Sequence, residues 1–382
     1  MAYIVDGNLY VQDGSNSPKQ LSNSGEDLSP IFSDDGEKII FYRGKSKNNN
    51  NGIFSINADG SREQEVITDD WLTSLGTGTK TGRPVFVPNT HQMLFNTYLC
   101  SKDLSLGCMV GLFLANTDTG EIKEIITPAL GGDLYGYENF SISPDGKSMS
   151  VAHAGQIDIL GIDGKVIHRS IMKYTRSTPL ELYPRVFWLS DSSGLVVALF
   201  DKTEFRGPIY SGYPAYTIWR YTFDDNVASQ IPLAPSPTWV SMDCKDVMSV
   251  SPNGKWIVYH TNDHQVYKGN LVDGNVNLYL PYMYCLPTQW SSNNIHFVNG
   301  RNPEQPVLGS VDASPVSIPG FFLGWIDAKR FIYIPNSSFP TKEDIQILVG
   351  EISGETLLTS QSNVSVPAIY LYSFTFTIMG GK

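Results

Sequence analysis

Six histidines hold much of the chemistry this sequence could perform: His91, His153, His168, His260, His264 and His296. His260 and His264 stand four apart in "HTNDH", with Asp263 between them. On a helix that spacing would offer two imidazoles on one face to a metal ion. The flanking pattern predicts a hairpin instead, and the two are read as ordinary loop histidines. His153 and His260 end corresponding strands of different repeats, so their likeness is repeat symmetry. Asp118 and Glu121 in "NTDTGE" lack the acidic ladder of a calcium loop. The "SDDGE" of Ser33–Glu37 reads as a turn. The chain has no G-x-S-x-G elbow, no P-loop and no dinucleotide fingerprint after a strand. The expectation is therefore no catalytic residue, no metal and no cofactor.

The elements that would position any site come from a repeat. "FSISPDGKSMSVAH" (Phe140–His153), "MSVSPNGKWIVYH" (Met248–His260) and "IFSDDGEKIIFY" (Ile31–Tyr42) share one layout. A short run ends in Ser-(Pro/Asp)-(Asp/Asn)-Gly, and a run rich in Ile, Val, Phe and Tyr follows. Asp-Gly and Asn-Gly accept the positive φ of tight hairpins, so each copy predicts two antiparallel strands and a turn. Weaker copies at Arg83–Phe95, Pro184–Phe200, Pro287–Val298 and Gly324–Ile334 fill the gaps. Repeats at this spacing predict an all-β fold, a β-propeller of four-stranded antiparallel blades. The N-terminus begins part-way through a blade and "AIYLYSFTFT" (Ala368–Thr377) is a lone strand. Pairing the two closes the ring and removes open edges. The count is eight blades, with seven as the alternative, in a single domain over 1–382.

Hairpin turns on one side are terse, while long loops crowd the other. The long loops include Gly44–Gly52, Asp69–Gly82, Cys100–Cys108, Gly131–Tyr137, Asp201–Tyr216 and Ala234–Cys244. This side holds Trp71, Tyr135, Tyr137, Phe205, Tyr210, Tyr213, Tyr216, Trp239, Tyr282 and Tyr284. Aromatic rings with polar tips suit protein or glycan surfaces, so these ten are the candidate binding residues.

The four cysteines predict two disulfides. Cys100 and Cys108 flank a loop between strands expected to run antiparallel. Cys244 and Cys285 occupy equivalent positions before the inner strands of consecutive blades. None of the spacings is that of a paired C-x-x-C zinc site. Disulfides point to a periplasmic or extracellular protein, with a cytoplasmic one, its thiols reduced, as the alternative. The opening "MAYIVDGNLY" has no leader pattern. A net charge of −11 without a basic cluster excludes a nucleic-acid surface, and no apolar run is long enough for a transmembrane segment.

The Ser-Pro-Asp-Gly copies, with their Ile/Tyr-rich strands and x-Asp-Gly hairpins, resemble the TolB-type WD-like propeller repeat over almost the whole chain. In blade count the chain is also similar to the eight-bladed propeller of the dipeptidyl peptidase IV family, without the hydrolase domain. The resemblance implies binding, gating or scaffolding. The function expected is thus non-catalytic: a scaffold binding a protein or glycan partner through its long-loop face, as a subunit of an envelope or surface assembly. The alternative is a carbohydrate-active or other hydrolytic or lyase enzyme working at the channel mouth, which requires carboxylates or histidines converging in one cleft.

Overall fold

In the computed structural model the recurring turn is built alike in each sharp copy. Ser33 N–H donates to the Lys38 carbonyl at 2.9 Å, and Gly36 N–H donates to the Ser33 carbonyl at 2.9 Å. The Ser33 hydroxyl donates to Asp35 Oδ1 at 2.6 Å and accepts from Lys38 N–H at 2.9 Å. Ser143 repeats this with Asp145 at 2.6 Å, and Ser251 with Asn253 at 2.8 Å. The glycines of the three turns have φ of 73°, 71° and 66°, a region that side chains strain. The Asp and Gly of the repeat are therefore turn chemistry, as their residue types imply.

The structure describes residues 1–13, 16–44, 52–82, 84–100, 108–129, 140–153, 155–174, 184–200, 215–238, 247–283, 288–299, 306–335, 345–353, 356–366 and 376–377. The fold is an all-β, eight-bladed propeller of antiparallel four-stranded blades with almost no helix. By contact the chain divides into two compact units. One comprises Met1–Ala154, Asp158–Arg169 and Pro367–Met379; the other comprises Gly155–Ile157, Ser170–Val366 and Gly380–Lys382.

In the first unit the opening blade joins both ends of the chain. Ala2–Val5 pairs with Asn8–Val11 on one side and with Phe376–Thr377 on the other, through Ala2↔Thr377 and Tyr3↔Phe376. The second blade is Asp27–Phe32, Lys38–Arg43, Gly52–Asn57 and Gln64–Ile67. In the third, Lys80–Thr81 and Val85–Phe86 share the inner position against Gln92–Cys100, and Cys108–Asn116 and Ile122–Ala129 follow. The alternation of the strands sends Ile39 and Phe41 toward the first blade and Ile40 toward the third, where Phe95 and Phe113 meet it.

The second unit holds the fifth to eighth blades. They begin at Arg185–Trp188, Met248–Val250, Thr288–Trp290 and Gly320–Trp325. Ile257 and Tyr259 pack against Val196 and Ile218 of the fifth blade, while Val258 packs against Phe297 of the seventh. Among the described residues no helix is long and apolar enough to cross a membrane.

One segment read as loop is helical. Asp69–Leu75 forms a short helix capped by Thr68, whose side chain accepts from Trp71 N–H at 3.1 Å. Trp71 stacks edge-on to Phe113, with ring centroids 5.0 Å apart, and Leu72 is buried. Trp71→Ala is expected to lower unfolding free energy by about 3 kcal/mol, the low end for an aromatic truncated in a packed site. A shift in the urea midpoint worth less than one kilocalorie would show the ring to be a surface residue instead.

Candidate active site

The recurring turn places one side chain outward at its fifth position. That residue is Lys147 in "SPDGK" and Lys255 in "SPNGK", but Glu37 in the second blade. The third blade closes the same turn with Val87 N–H on the Gln92 carbonyl at 2.8 Å and Thr90 N–H on Val87 at 3.2 Å. Its fifth residue is His91. Adjacent blades thus present a carboxylate and an imidazole where the turns beginning at Ser143 and Ser251 present lysine.

His91 is held from both sides. Nε2 lies 3.0 Å from Asp35 Oδ2, and Nδ1 lies 2.8 Å from Asp118 Oδ2. Glu37 Oε2 stands 4.0 Å from Nε2. Behind Asp118, the buried Lys38 ammonium lies 2.7 Å from Oδ1. The backbone braces the group: the His91 carbonyl accepts from Thr117 N–H at 2.9 Å and from the Thr117 hydroxyl at 2.7 Å. Partial burial works against the charged imidazole, but hydrogen bonds and charge from Asp118 and Asp35 outweigh it, so the His91 pKa lies above its ordinary value. Burial likewise disfavours the Asp118 carboxylate, and Lys38 and His91 overcome it; its pKa is lowered. Asp35 is lowered against the same opposition by Ser33, Glu37 N–H and His91.

One oxygen each from Asp35 and Glu37 and a ring nitrogen of His91 lie within 4.8 Å of one another, a donor set able to hold a metal ion. From sequence alone "SDDGE" and "NTDTGE" are solvated turns without an ion or site role, and the cluster is not legible there because His91 is 56 residues from Asp35 and 27 from Asp118. The fifth turn position, lysine in some copies and Glu37 or His91 in others, was the available signal.

His260 is the other unusual histidine. It is 1% exposed, and among the described residues neither ring nitrogen has a hydrogen-bond partner. Burial, and then the nearby His264, lower its pKa from 6.5 to about 4. Between those values the unfolded chain binds a proton that the folded chain does not, so stability falls as pH drops from about 6.5 toward 4. The full effect corresponds to about 3 kcal/mol at roughly 1.4 kcal/mol per pKa unit. His260→Asn is expected to flatten the decline in melting temperature across that range; an unchanged slope would assign it to other groups.

The predicted binding aromatics part company. Tyr216 belongs to the core, buried with its ring 4.1 Å from Phe200, and Trp71 packs partly buried against the core. Tyr282 is 60% exposed, its ring centroid 5.5 Å from His264. Tyr135, Tyr137, Phe205, Tyr210, Tyr213, Trp239 and Tyr284 lie outside the described residues. Cys100 and Cys108 face each other directly across an antiparallel pair. Cys244 and Cys285 lie outside the described residues, as do the side chains of Cys100 and Cys108, so neither predicted disulfide falls within them.

No known family's sequence profile matches the chain, and no curated protein matches it. The TolB-type resemblance accordingly rests on the turns alone. Solved structures do match. An oligogalacturonate lyase from Vibrio parahaemolyticus superposes with a TM-score of 0.48 at 11% identity, over 81% of this chain and 82% of that one. Porphyromonas gingivalis dipeptidyl peptidase 4 gives 0.51 at 10% identity, over 88% of this chain and 53% of the peptidase. A prolyl endopeptidase also gives 0.51, at 11% identity, over 88% of this chain and 50% of that one. Likeness at this distance shows the eight-bladed propeller fold alone. The expectation of a non-catalytic scaffold is nonetheless corrected. The solved propellers that match include enzymes, so the fold gives no ground for a purely binding role.

Proposed function

We propose that the protein is an enzyme, a hydrolase or lyase with carbohydrate as its first substrate class, whose proton transfers are run by the His91 cluster. The observation that carries this reading is an imidazole fixed between two carboxylates with a third carboxylate 4.0 Å from its outward nitrogen. Such convergence, with shifted pKa values, is what acid–base chemistry needs. Glu37 is the most exposed of the three and has the freedom to accept a substrate proton. His91 Nε2 faces the charge developing on the substrate as that proton leaves. Asp35, Glu37 and His91 all sit on turns joining the first two strands of their blades.

The test is turnover of a panel of neutral and uronic-acid polysaccharides by the full chain. Reducing-end release reports hydrolysis, and ultraviolet absorbance of unsaturated ends reports elimination. Products from one class, lost in His91→Ala, are expected. Equal turnover by the variant, or none by either protein on any member, would overturn the proposal and leave the cluster as an ion clamp between two blades.

A further inference from the structure

We infer that Asp35, Glu37 and His91 form a binding site for a first-row divalent transition cation, with Asp118 as the outer partner of the imidazole. Around an ion with six donors at about 2.1 Å, neighbouring donors stand about 3.0 Å apart and opposite donors about 4.2 Å. The separations from His91 Nε2 are 3.0 Å to Asp35 and 4.0 Å to Glu37, so the donors already stand at the edges of such a shell. Asp35 is prepared for the task. Its Oδ1 is taken by the Ser33 hydroxyl at 2.6 Å and by Glu37 N–H at 3.0 Å, which leaves Oδ2 to face His91.

The imidazole is oriented as metal-bound histidines are. Its Nδ1 is committed to a carboxylate, Asp118, which fixes the ring, so that an ion taking the place of the proton Nε2 shares with Asp35 meets the Nε2 lone pair already aimed. The Lys38 ammonium bonds Asp118 Oδ1, on the far side of the ring from the donor set, and so steadies the outer partner. Two carboxylates and a neutral imidazole balance a doubly charged ion, and the imidazole selects a transition ion over calcium, which prefers an all-oxygen shell. Two neighbouring blades carry Glu37 and His91 at the turn position where two other copies hold Lys147 and Lys255, whose charge would repel a cation. The inference deepens the reading of this cluster as the catalytic site and rests on it for the use of the ion, which would stabilise the charge assigned above to Nε2.

Zinc is the probe. Titration calorimetry of the chelator-stripped full chain should show one zinc site, abolished in His91→Ala and weakened at least tenfold in Glu37→Gln. Glu37 is a surface side chain, so that variant keeps the fold. Asp118→Asn should weaken zinc by about 10- to 100-fold, and excess calcium should not compete. No saturable zinc binding, or binding equal in wild type, His91→Ala and Glu37→Gln, overturns the inference. The two readings separate cleanly. Zinc binding lost in the variants, with turnover indifferent to chelation, supports the metal site and detaches it from the reaction. Turnover that needs His91 in a chain that binds no zinc overturns the metal site and leaves the catalytic reading standing.

Discussion

His91→Ala is expected to lower turnover by about 10²- to 10⁴-fold, the range for removing a positioned proton-transfer group. The prediction follows from geometry. Both ring nitrogens are engaged, at 2.8 and 3.0 Å, and alanine removes the imidazole that touches Asp35 and Asp118 together. Exposed ion pairs contribute only about 0–1 kcal/mol each, so the fold should survive the change. Unaltered circular dichroism and a melting temperature within a few degrees of wild type would confirm that. Asp118→Asn should act more gently, because it keeps the shape and alters only the hold on Nδ1. A loss in His91→Ala no larger than in Asp118→Asn would place the chemistry elsewhere.

Asp27→Ala is expected to destabilise the protein by about 3–5 kcal/mol, the range for breaking a buried ion pair by removing one partner. Asp27 is fully buried at the start of the second blade. It accepts from Arg43 Nε at 2.6 Å, from the Ser24 hydroxyl at 2.7 Å and from Ser22. The Ser22 hydroxyl in turn accepts from Leu9 N–H at 2.8 Å, so the carboxylate ties the first blade to the second. Without it the Arg43 guanidinium, 4.4 Å from the centre of the Phe54 ring, keeps the Glu63 carboxylate at 2.6 Å. A net stability of 5–15 kcal/mol is ordinary for a folded protein, so urea unfolding should show the loss plainly. Asp27→Leu combined with Arg43→Met should recover part of it, since no buried charge is then left unpaired and Glu63, which also loses Arg43, is exposed to water. A single-variant loss under one kilocalorie would show that water reaches the pair.

The hairpins were legible residue by residue, because each rests on contacts within a few positions of its own turn. Ser33 reaches Asp35 and Lys38, and Ser143 reaches Asp145 and Ser148. Pairing Ala2–Val5 with Phe376–Thr377 was legible for a different reason: an opening blade short of one strand and a tail with no partner complement each other. The helix at Asp69–Leu75 was hidden, since Thr68, Asp69 and Asp70 suit a helix start and a turn equally well. Packing of Trp71 on Phe95 and Phe113 decides for the helix.

The sequence by itself thus determined the strand–turn–strand units, their repetition and the closing of the ring by the chain's two ends, because local turn geometry and period-two alternation are written in adjacent residues. Only the tertiary structure decided which side chains meet. Trp71 and Tyr216 look alike in sequence to an exposed Tyr282, yet packing buries Tyr216 and lays Trp71, partly buried, against the core. Asp35, His91 and Asp118 lie on separate turns, and no period within a strand relates them. The stacking of the third blade on the second makes them a cluster, and that contact, rather than any motif, creates the candidate site.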